Sequence, residues 1–424
     1  MFLNADKNMC FLELMMYAII NTAASVRRLS AAGSAATVLH LRDKWYISIN
    51  AAAFSAVNVG NTYKPEEKIL DKEVFRLGEL FCGPGGIACG AHNAVSDDGR
   101  LSIAHAWAND FDPDTCRTYA ENICGGNWST VHCCDVRDLD IPSLGPIDAF
   151  AYGFPCNSFS SVGEHQGLEN EKFGQLYTYG VEVLKYYQPK WFLAENVSGI
   201  RSAGDGGHFK IILDDLADAG YTLVTNMYKF EEYGVPQTRH RIIIVGIRND
   251  LDAQGIKFRV PSPEPYRDCD VTAGTALAGI PEDAPNNEIR PLQEKVKRRL
   301  SYIRPGQNVW QAEGLPPELM IKTRTKISQI YRKLDPDRPS YTVTAAGGGG
   351  TFMYHWSDEQ RELTNRERAR IQTFPDDFRF TGKYSSVRKQ IGMAVPPRGA
   401  EIIFRAVLNT FAGIDYPYTE PSMS

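Results

Sequence analysis

The chain of 424 residues is too long for one simple domain and long enough for a large domain with a smaller companion. Its 43% hydrophobic and 23% charged residues exclude a disordered or fibrous protein. A net charge of -5 excludes a protein that is basic over its whole surface, but it is compatible with one basic binding face.

The N-terminal part of the chain indicates no function. Residues 1–72 carry no usable motif, and we interpret them as an N-terminal extension of unknown role. Their apolar run, residues 11–20, is too short to cross a bilayer, so no membrane partner is expected. The nine cysteines are odd in number and contain no CxxC pair, which favours reduced thiols, a cytoplasmic location and no metal site.

From residue 74 onward, short apolar runs alternate with segments of helical length. The runs occupy residues 74–81, 101–108, 147–154, 191–194, 222–228 and 241–247. This alternation predicts an α/β fold with a doubly wound, mostly parallel sheet, whose ligand sites lie beyond the carboxyl ends of the strands. The loop 229–240 is too short for a helical crossover, so the last strand is predicted to run antiparallel.

A glycine-rich stretch follows the first run and precedes a predicted helix. Phe81-Cys82-Gly83-Pro84-Gly85-Gly86 would let the backbone approach a ligand closely, although a simple tight turn is the alternative. Its GxGG spacing departs from the GxGxxG of dinucleotide sites. Asp110 follows the second run and can accept both ribose hydroxyls, and Asp135-Val136 can hold an adenine. The pattern predicts an adenosine-containing ligand without a pyrophosphate.

Two further strand ends carry reactive groups. Pro155-Cys156 ends the third run, where an exposed thiol in a turn favours a nucleophile over a buried structural cysteine. Glu195 ends the fourth run and is either a catalytic acid or the partner of a nearby cation. Arg239 and Arg241 share one face of an extended chain, and an antiparallel last strand would bring both to this edge. A merely exposed charged edge is the alternative.

This set of groups suits chemistry on a pyrimidine. C5 of cytosine becomes nucleophilic once a thiolate adds to C6. A carboxylic acid at N3 and an arginine at O2 would neutralise the charge that this addition builds.

After residue 249 the chain becomes Pro-rich, basic and irregular. We predict a catalytic domain at 73–249, a smaller irregular domain at 250–355, and a segment at 356–424 that returns to the catalytic domain. Residues 290–340 carry twelve Lys and Arg against five Asp and Glu, a net charge of +7. Such a segment indicates a nucleic-acid face or a solvated charged surface.

These stretches resemble the DNA (cytosine-5) methyltransferase family of bacterial or phage restriction-modification systems. The resemblance is carried in order by residues 81–86, 153–156, 195–197, 237–241, 363–367, 372–375 and 390–397. It implies a Rossmann-like methyltransferase fold, S-adenosyl-L-methionine as cofactor, and residues 250–355 as a target-recognition domain. Duplex DNA is then the substrate, and its target cytosine must be flipped out of the helix.

The resemblance also implies roles for individual residues. Cys156 would be the nucleophile at C6, Glu195 the partner of N3 and Arg241 the contact of O2, with Arg239 beside it. The implied cofactor positions are Phe81, Gly83, Gly85, Gly86, Asp110, Phe111, Asp135, Val136, Pro155 and Met393. We further expect a cytoplasmic monomer whose cognate restriction endonuclease acts on the same DNA site without a required contact.

Two residues depart from the family pattern. Asn157 replaces the usual Gln after the cysteine, which keeps an amide, whereas Met393 replaces the usual Asn and removes a polar contact. Because of Met393, a catalytically silent DNA-binding module of the same fold is one alternative. Methylation of cytosine in tRNA by the same fold is another, although the long basic variable region favours DNA. A nicotinamide dehydrogenase is disfavoured by the glycine spacing.

Overall fold

The computed structural model describes residues 36–41, 44–49, 72–154, 175–322, 326–345, 347–348 and 350–423. The chain divides into two units, residues 1–69 and 70–424. In the first unit, strands β1 (Ala36–Leu41) and β2 (Lys44–Ile49) pair antiparallel. Pro155, Cys156 and Asn157 lie outside the described residues.

The second unit contains a seven-stranded sheet in the order β5-β4-β3-β6-β7-β10-β8. The first five strands in this order are parallel, and β10 runs antiparallel to both β7 and β8. The strands of the second unit are β3 (Glu73–Leu80), β4 (Leu101–Asp110), β5 (Val131–Cys133), β6 (Ala149–Tyr152), β7 (Trp191–Val197), β8 (Tyr221–Lys229), β9 (Gln237–Thr238), β10 (His240–Arg248), β11 (Val260–Pro261), β12 (Ser340–Tyr341) and β13 (Tyr418–Thr419).

The predicted mostly parallel α/β sheet is confirmed, and so is the antiparallel last strand. All six predicted runs contain a strand, with bounds that shift by up to three residues. Strand β5 was not predicted, because its three residues are too short to show an alternation of apolar and polar side chains.

Helices cover both faces of the sheet. They are α1 (Gly86–Asn93), α2 (Pro113–Ile123), α3 (Tyr177–Tyr187), α4 (Gly207–Asp218), α5 (Asn249–Ala253), α6 (Ala273–Leu277), α7 (Glu294–Leu300), α8 (Asn365–Ile371), α9 (Tyr384–Met393) and α10 (Pro397–Ala412). None of the described helices is both long and apolar enough to span a membrane.

Strand β10 shows how the two layers form. Ile243 and Val245 pack into one apolar cluster with residues of α1 and α10, while Ile242 and Ile244 pack into a second cluster with α3 and α4. A strand that is buried on both faces reads as a continuous apolar run. Each such side chain contributes about 1.5–3 kcal/mol when it is fully buried, so the central strands are held firmly and their ends are fixed in space.

Residues 250–355 contain only short elements. A small apolar cluster of their own, formed by Leu300, Ile303, Val309, Ile330 and Tyr354, packs beside α7. Strand β12 of this region pairs in parallel with β9, directly before the strand that carries Arg241. The irregular region is therefore joined to the chain just before the start of β10.

Candidate functional site

The strand that leads to Cys156 ends beside Glu195. Strands β6 and β7 are parallel neighbours, with Tyr152 in register with Ala194. A Cβ atom at Gly153 would lie 3.2 Å from Oε2 of Glu195, and the Asn196 side chain donates a hydrogen bond to the Phe154 carbonyl (3.3 Å). Gly153 and Phe154, which precede Cys156 by three and two residues, therefore lie beside Glu195 and Asn196.

Glu195 forms an ion pair with Arg241. Nε of Arg241 lies 2.9 Å from Oε1 of Glu195, and the two side chains are 14% and 13% exposed. The pair forms because antiparallel β10 begins where β7 ends, with Arg241 in register with Val197. A carboxyl group and a guanidinium thus lie side by side at the strand ends, sheltered from water but open enough to reach a ligand.

Arg239 has a different environment from Arg241. Its guanidinium is buried and donates hydrogen bonds to the carbonyls of Val343 (3.1 Å), Gly392 (3.2 Å) and Ala394 (2.9 Å). Burial lowers the pKa of Arg239, and the neighbouring Arg241 lowers it further. We expected both arginines to reach the active edge. Only Arg241 does so, because spacing along an extended chain sets the face of a side chain and not its depth.

The glycine-rich loop is fixed by Asp110. The Asp110 carboxylate accepts hydrogen bonds from the backbone N–H groups of Gly83 (3.0 Å) and Asp112 (3.0 Å), and its burial raises the pKa of Asp110. Gly83 and Gly85 adopt φ angles of +56° and +96°, in the left-handed region. A Cβ at Gly83 would meet no atom of the described residues within 4 Å. The loop therefore leaves an open cradle at the N-terminus of α1.

An exposed aromatic ring lies beside this cradle. Phe111 is 65% exposed directly after β4, and the Lys389 ammonium lies 5.7 Å from its ring centroid. A bare ring at a strand end offers a stacking surface for a flat heterocycle. Phe81 and Gly85 belong to the same loop, and Gly86 is the first residue of α1.

The next strand end adds two more predicted positions. Asp135 caps a short 3-10 turn by accepting the Arg137 N–H (3.0 Å), and Val136 is buried behind it. The ends of β3, β4 and β5 thus assemble the residues that an adenosine would need: an open glycine loop, a carboxylate, an aromatic face and an apolar contact.

Met393 ends α9 and is 46% exposed. The carbonyls on either side of it, those of Gly392 and Ala394, accept hydrogen bonds from Arg239. The backbone around Met393 is therefore held although its side chain is free to face a ligand.

Sequence reasoning missed Glu79. This acid lies inside the apolar strand β3 and is fully buried, with a hydrogen bond from the Tyr119 hydroxyl (3.2 Å). Burial raises the pKa of Glu79 to about 8. A lone acid on the same strand face as Phe75 and Leu77 was the signal that could have revealed it.

Sequence reasoning also missed two buried amides, Gln237 and Gln372, whose side chains bond to each other (2.7 Å). Gln237 lies in the stretch 237–241 that the sequence analysis identified, but roles were assigned there only to Arg239 and Arg241. Its buried position carries no signature in the sequence.

Several basic residues of segment 290–340 are already engaged. Arg299 and Lys333 are buried, whereas Arg298 and Arg304 pair with Glu318 (3.3 Å) and Glu313 (3.2 Å). Lys295 and Lys297 on α7 are exposed and form no ion pair within the described part of the chain. The surface charge available to a ligand is smaller than the sequence count suggests.

Comparisons with known proteins show which family the chain resembles. The model of the C-5 cytosine-specific DNA methylase family matches residues 75–409. The chain is 57% identical over 358 residues to the Type II methyltransferase M.BbvI of Brevibacillus brevis, which covers 81% of this chain and 93% of that protein. It is 38% identical over 343 residues to the Type II methyltransferase M.NgoFVII of Neisseria gonorrhoeae, covering 78% of this chain and 86% of that protein.

A solved structure shows the same fold. It is described as a DNA modification methyltransferase encoded within an Escherichia coli prophage, and it aligns with a TM-score of 0.60 and 23% identity. The alignment covers 80% of this chain and 99% of that chain.

Proposed function

The chain belongs to the C-5 cytosine-specific DNA methylase family and is a DNA cytosine-5 methyltransferase of the restriction-modification type, and we propose that it acts through a covalent adduct between Cys156 and a flipped cytosine. The observation that carries this proposal is the Glu195–Arg241 pair beside the Gly153–Phe154 strand end. It puts a carboxyl group, a guanidinium and the chain segment leading to a thiol at one edge of the sheet.

Each residue has a separate task on the base. The Cys156 thiolate forms a bond to C6, and C5 gains the electron density to attack a methyl group. Glu195 shares a proton with N3, and Arg241 donates to O2, so the charge that addition creates is neutralised where it develops. A base, which we assign to a water molecule, then takes the C5 proton. The S–C6 bond breaks and frees the thiolate.

The strand ends fit S-adenosyl-L-methionine as the cofactor. This molecule supplies the electrophilic methyl group when it is bound. Asp110 would hold the ribose, Phe111 would stack on the adenine, and Asp135 and Val136 would contact its edge. The open cradle at Gly83, together with Phe81, Gly85 and Gly86, would accept the rest of the molecule, with the exposed Met393 as a further contact. Pro155 is proposed as a cofactor residue from its match to the family motif alone.

Duplex DNA is the proposed substrate, and residues 250–355 are the proposed target-recognition domain. The pairing of β12 with β9, which ends three residues before Arg241, supports this proposal. Exposed lysines of α7 would contact phosphates, and other side chains would read base edges. We propose a monomer that needs no contact with its cognate endonuclease. The DNA methyltransferase relatives favour DNA over tRNA.

A mechanism-based trap tests the proposal. Duplex DNA with 5-fluorocytosine at the target position blocks the loss of the C5 substituent, so the wild-type protein should remain covalently attached in the presence of cofactor. Bisulfite sequencing of DNA from expressing cells first identifies the target. Cys156→Ala should abolish the adduct, whereas Cys269→Ala should retain it, because Cys269 lies on the loop after β11. Absence of an adduct with the wild-type protein, or an adduct in Cys156→Ala, would overturn the proposal.

A further inference from the structure

Three buried polar side chains form a cluster behind the base-binding pair. Gln237, Arg239 and Gln372 are 0%, 1% and 0% exposed. We call them the polar cluster. Most buried polar groups are hydrogen-bonded, and the bonds of this cluster reach two distant segments of the chain.

The first segment is the end of the proposed target-recognition domain. The Gln237 carbonyl oxygen accepts the Val343 N–H (2.7 Å), and Arg239 donates to the Val343 carbonyl (3.1 Å). The Thr342 hydroxyl donates to the Thr238 carbonyl (2.6 Å). Residues 340–343 are therefore fixed in register against the chain that continues into Arg241.

The second segment is the end of helix α9. Gln372 donates to the carbonyls of Ile391 (2.6 Å) and Ala394 (3.1 Å), and the Ala394 carbonyl also accepts a hydrogen bond from Arg239. The two segments also touch directly, because a Cβ at Gly392 would lie 2.2 Å from the Thr344 backbone. Three parts of the chain that are distant in sequence thus meet at one buried guanidinium.

We propose that Arg239 is a positioning and specificity-determining residue, which holds segment 340–345 in place relative to the Glu195–Arg241 pair. The inference rests on the proposed function, because that segment lies near the end of the region that would read DNA. When the correct DNA site is bound, the cluster fixes the position of segment 340–345 relative to the flipped base. A displacement of about 1 Å can cost about 100-fold in rate. If segment 340–345 could shift relative to the Glu195–Arg241 pair, turnover on the correct DNA site would therefore fall most.

Arg239→Lys tests this role. A lysine keeps the charge but cannot span three carbonyls in a planar fork. We expect kcat on cognate DNA to fall about 10-fold or more. The ratio of kcat/KM between cognate DNA and DNA with one changed base pair should fall as well, while the KM for cofactor changes less than kcat.

Arg366→Lys is the matched control. Arg366 is equally buried, and it also donates to three backbone carbonyls, those of Pro285, Pro375 and Phe378. It holds Pro285 of the same proposed domain, but among the described residues it makes no hydrogen bond to the polar cluster or to segment 340–345, so it tests whether the effect belongs to that segment. We expect Arg366→Lys to lower the melting temperature to a similar degree and to leave the cognate-to-changed ratio intact.

The inference would be overturned if Arg239→Lys and Arg366→Lys changed the ratio of kcat/KM between cognate and altered DNA equally. It would also be overturned if Arg239→Lys had no effect on this ratio. If Arg239→Lys does not fold, Thr342→Val decides, because it removes one bond of the same junction: a lowered ratio supports the inference and an unchanged ratio overturns it. A wild-type protein that methylates no DNA would overturn the proposed function itself, whereas failure of this inference appears only in variants of an active wild type.

Discussion

At the scale of single residues, the Glu195–Arg241 ion pair combines two demands. The pair is buried enough that each charged group is stabilised by the other. It is also exposed enough for a base to reach both groups. Removing one partner of a partly buried pair leaves an uncompensated charge. Substitutions here should therefore affect chemistry more than folding, provided that the charge is kept.

Arg241→Lys should lower kcat by about 10- to 100-fold, because an ammonium cannot donate simultaneously to Glu195 and to the base in the geometry of a guanidinium. Methyl transfer from labelled cofactor to duplex DNA measures the effect. Arg405→Lys is the control, since Arg405 pairs with Asp97 on the exposed surface of α10. The role assigned to Arg241 would be refuted if both variants turned over like the wild type.

Glu79 should make stability depend on pH. Burial raises the pKa of Glu79 from 4.5 to about 8, so the folded protein binds a proton there that the unfolded chain has released. Between these two values the unfolded state holds fewer protons, and the free energy of unfolding falls as pH rises. Below the lower value and above the higher one, this contribution is constant.

Glu79→Gln should flatten this dependence, because an amide accepts the Tyr119 hydrogen bond without ionising. Urea unfolding at about pH 5 and about pH 8 measures it: the wild type should lose more stability than the variant over this interval. Glu121→Gln on the exposed side of α2 should keep the wild-type slope. Parallel slopes for wild type and Glu79→Gln would show that Glu79 is already ionised at neutral pH.

At the scale of elements, the sequence predicted the strands well because the central ones are buried on both faces. Continuous apolar runs such as residues 241–247 leave a strong signal, and a short connecting loop gave the antiparallel direction of β10. Strand β5 left no such signal, since three residues cannot establish a period. Strand β5 forms because its backbone pairs in parallel with β4 at the edge of the sheet.

Helix α7 shows the limit of counting charges. Its sequence neighbourhood carries +7, yet several of those cations are buried or paired within the same region. Which of them are paired depends on folding of residues far apart along the segment. Lys295 and Lys297 are the cations of α7 that the described structure leaves exposed and without an ion pair.

Replacing Lys295 and Lys297 together by alanine should weaken DNA binding about equally for cognate and unrelated sequences. Each phosphate contact releases about one counterion, so the slope of log K against log salt should decrease by about 2 in magnitude. Fluorescence anisotropy across a salt series measures this slope. Lys210→Ala on α4 should leave it unchanged, because Lys210 pairs with Asp214 there. An unchanged slope in the double variant would place the DNA elsewhere.

At the scale of the whole molecule, the residues of the site come from strand ends that are far apart in sequence. The sequence could predict that Asp110, Glu195 and Arg241 share an edge, since parallel strands end on one side and an antiparallel strand begins there. It could not predict that Arg239 is buried, because its partner Val343 lies 104 positions away. Depth depends on which segments fold over the edge, and the alternation of residues along one strand carries no such information.

Cofactor binding offers a test of the whole edge. If Phe111 stacks on the adenine, Phe111→Leu should weaken binding of S-adenosylhomocysteine about 2- to 10-fold, since aromatic stacking contributes about 0.5–1.5 kcal/mol beyond buried area. Isothermal titration calorimetry measures the affinity. The ligand-induced rise in melting temperature should shrink accordingly, because stabilisation follows the ratio of free ligand to its dissociation constant.

Tyr186→Leu provides the control, because Tyr186 is a similarly exposed aromatic residue (56%) on helix α3. It should bind S-adenosylhomocysteine like the wild type. Equal affinity in Phe111→Leu and the wild type would show that the exposed ring is not the adenine platform. The cofactor would then have to approach the glycine cradle from the side of Asp135 and Val136, with its base lying against the end of β5 instead of the end of β4.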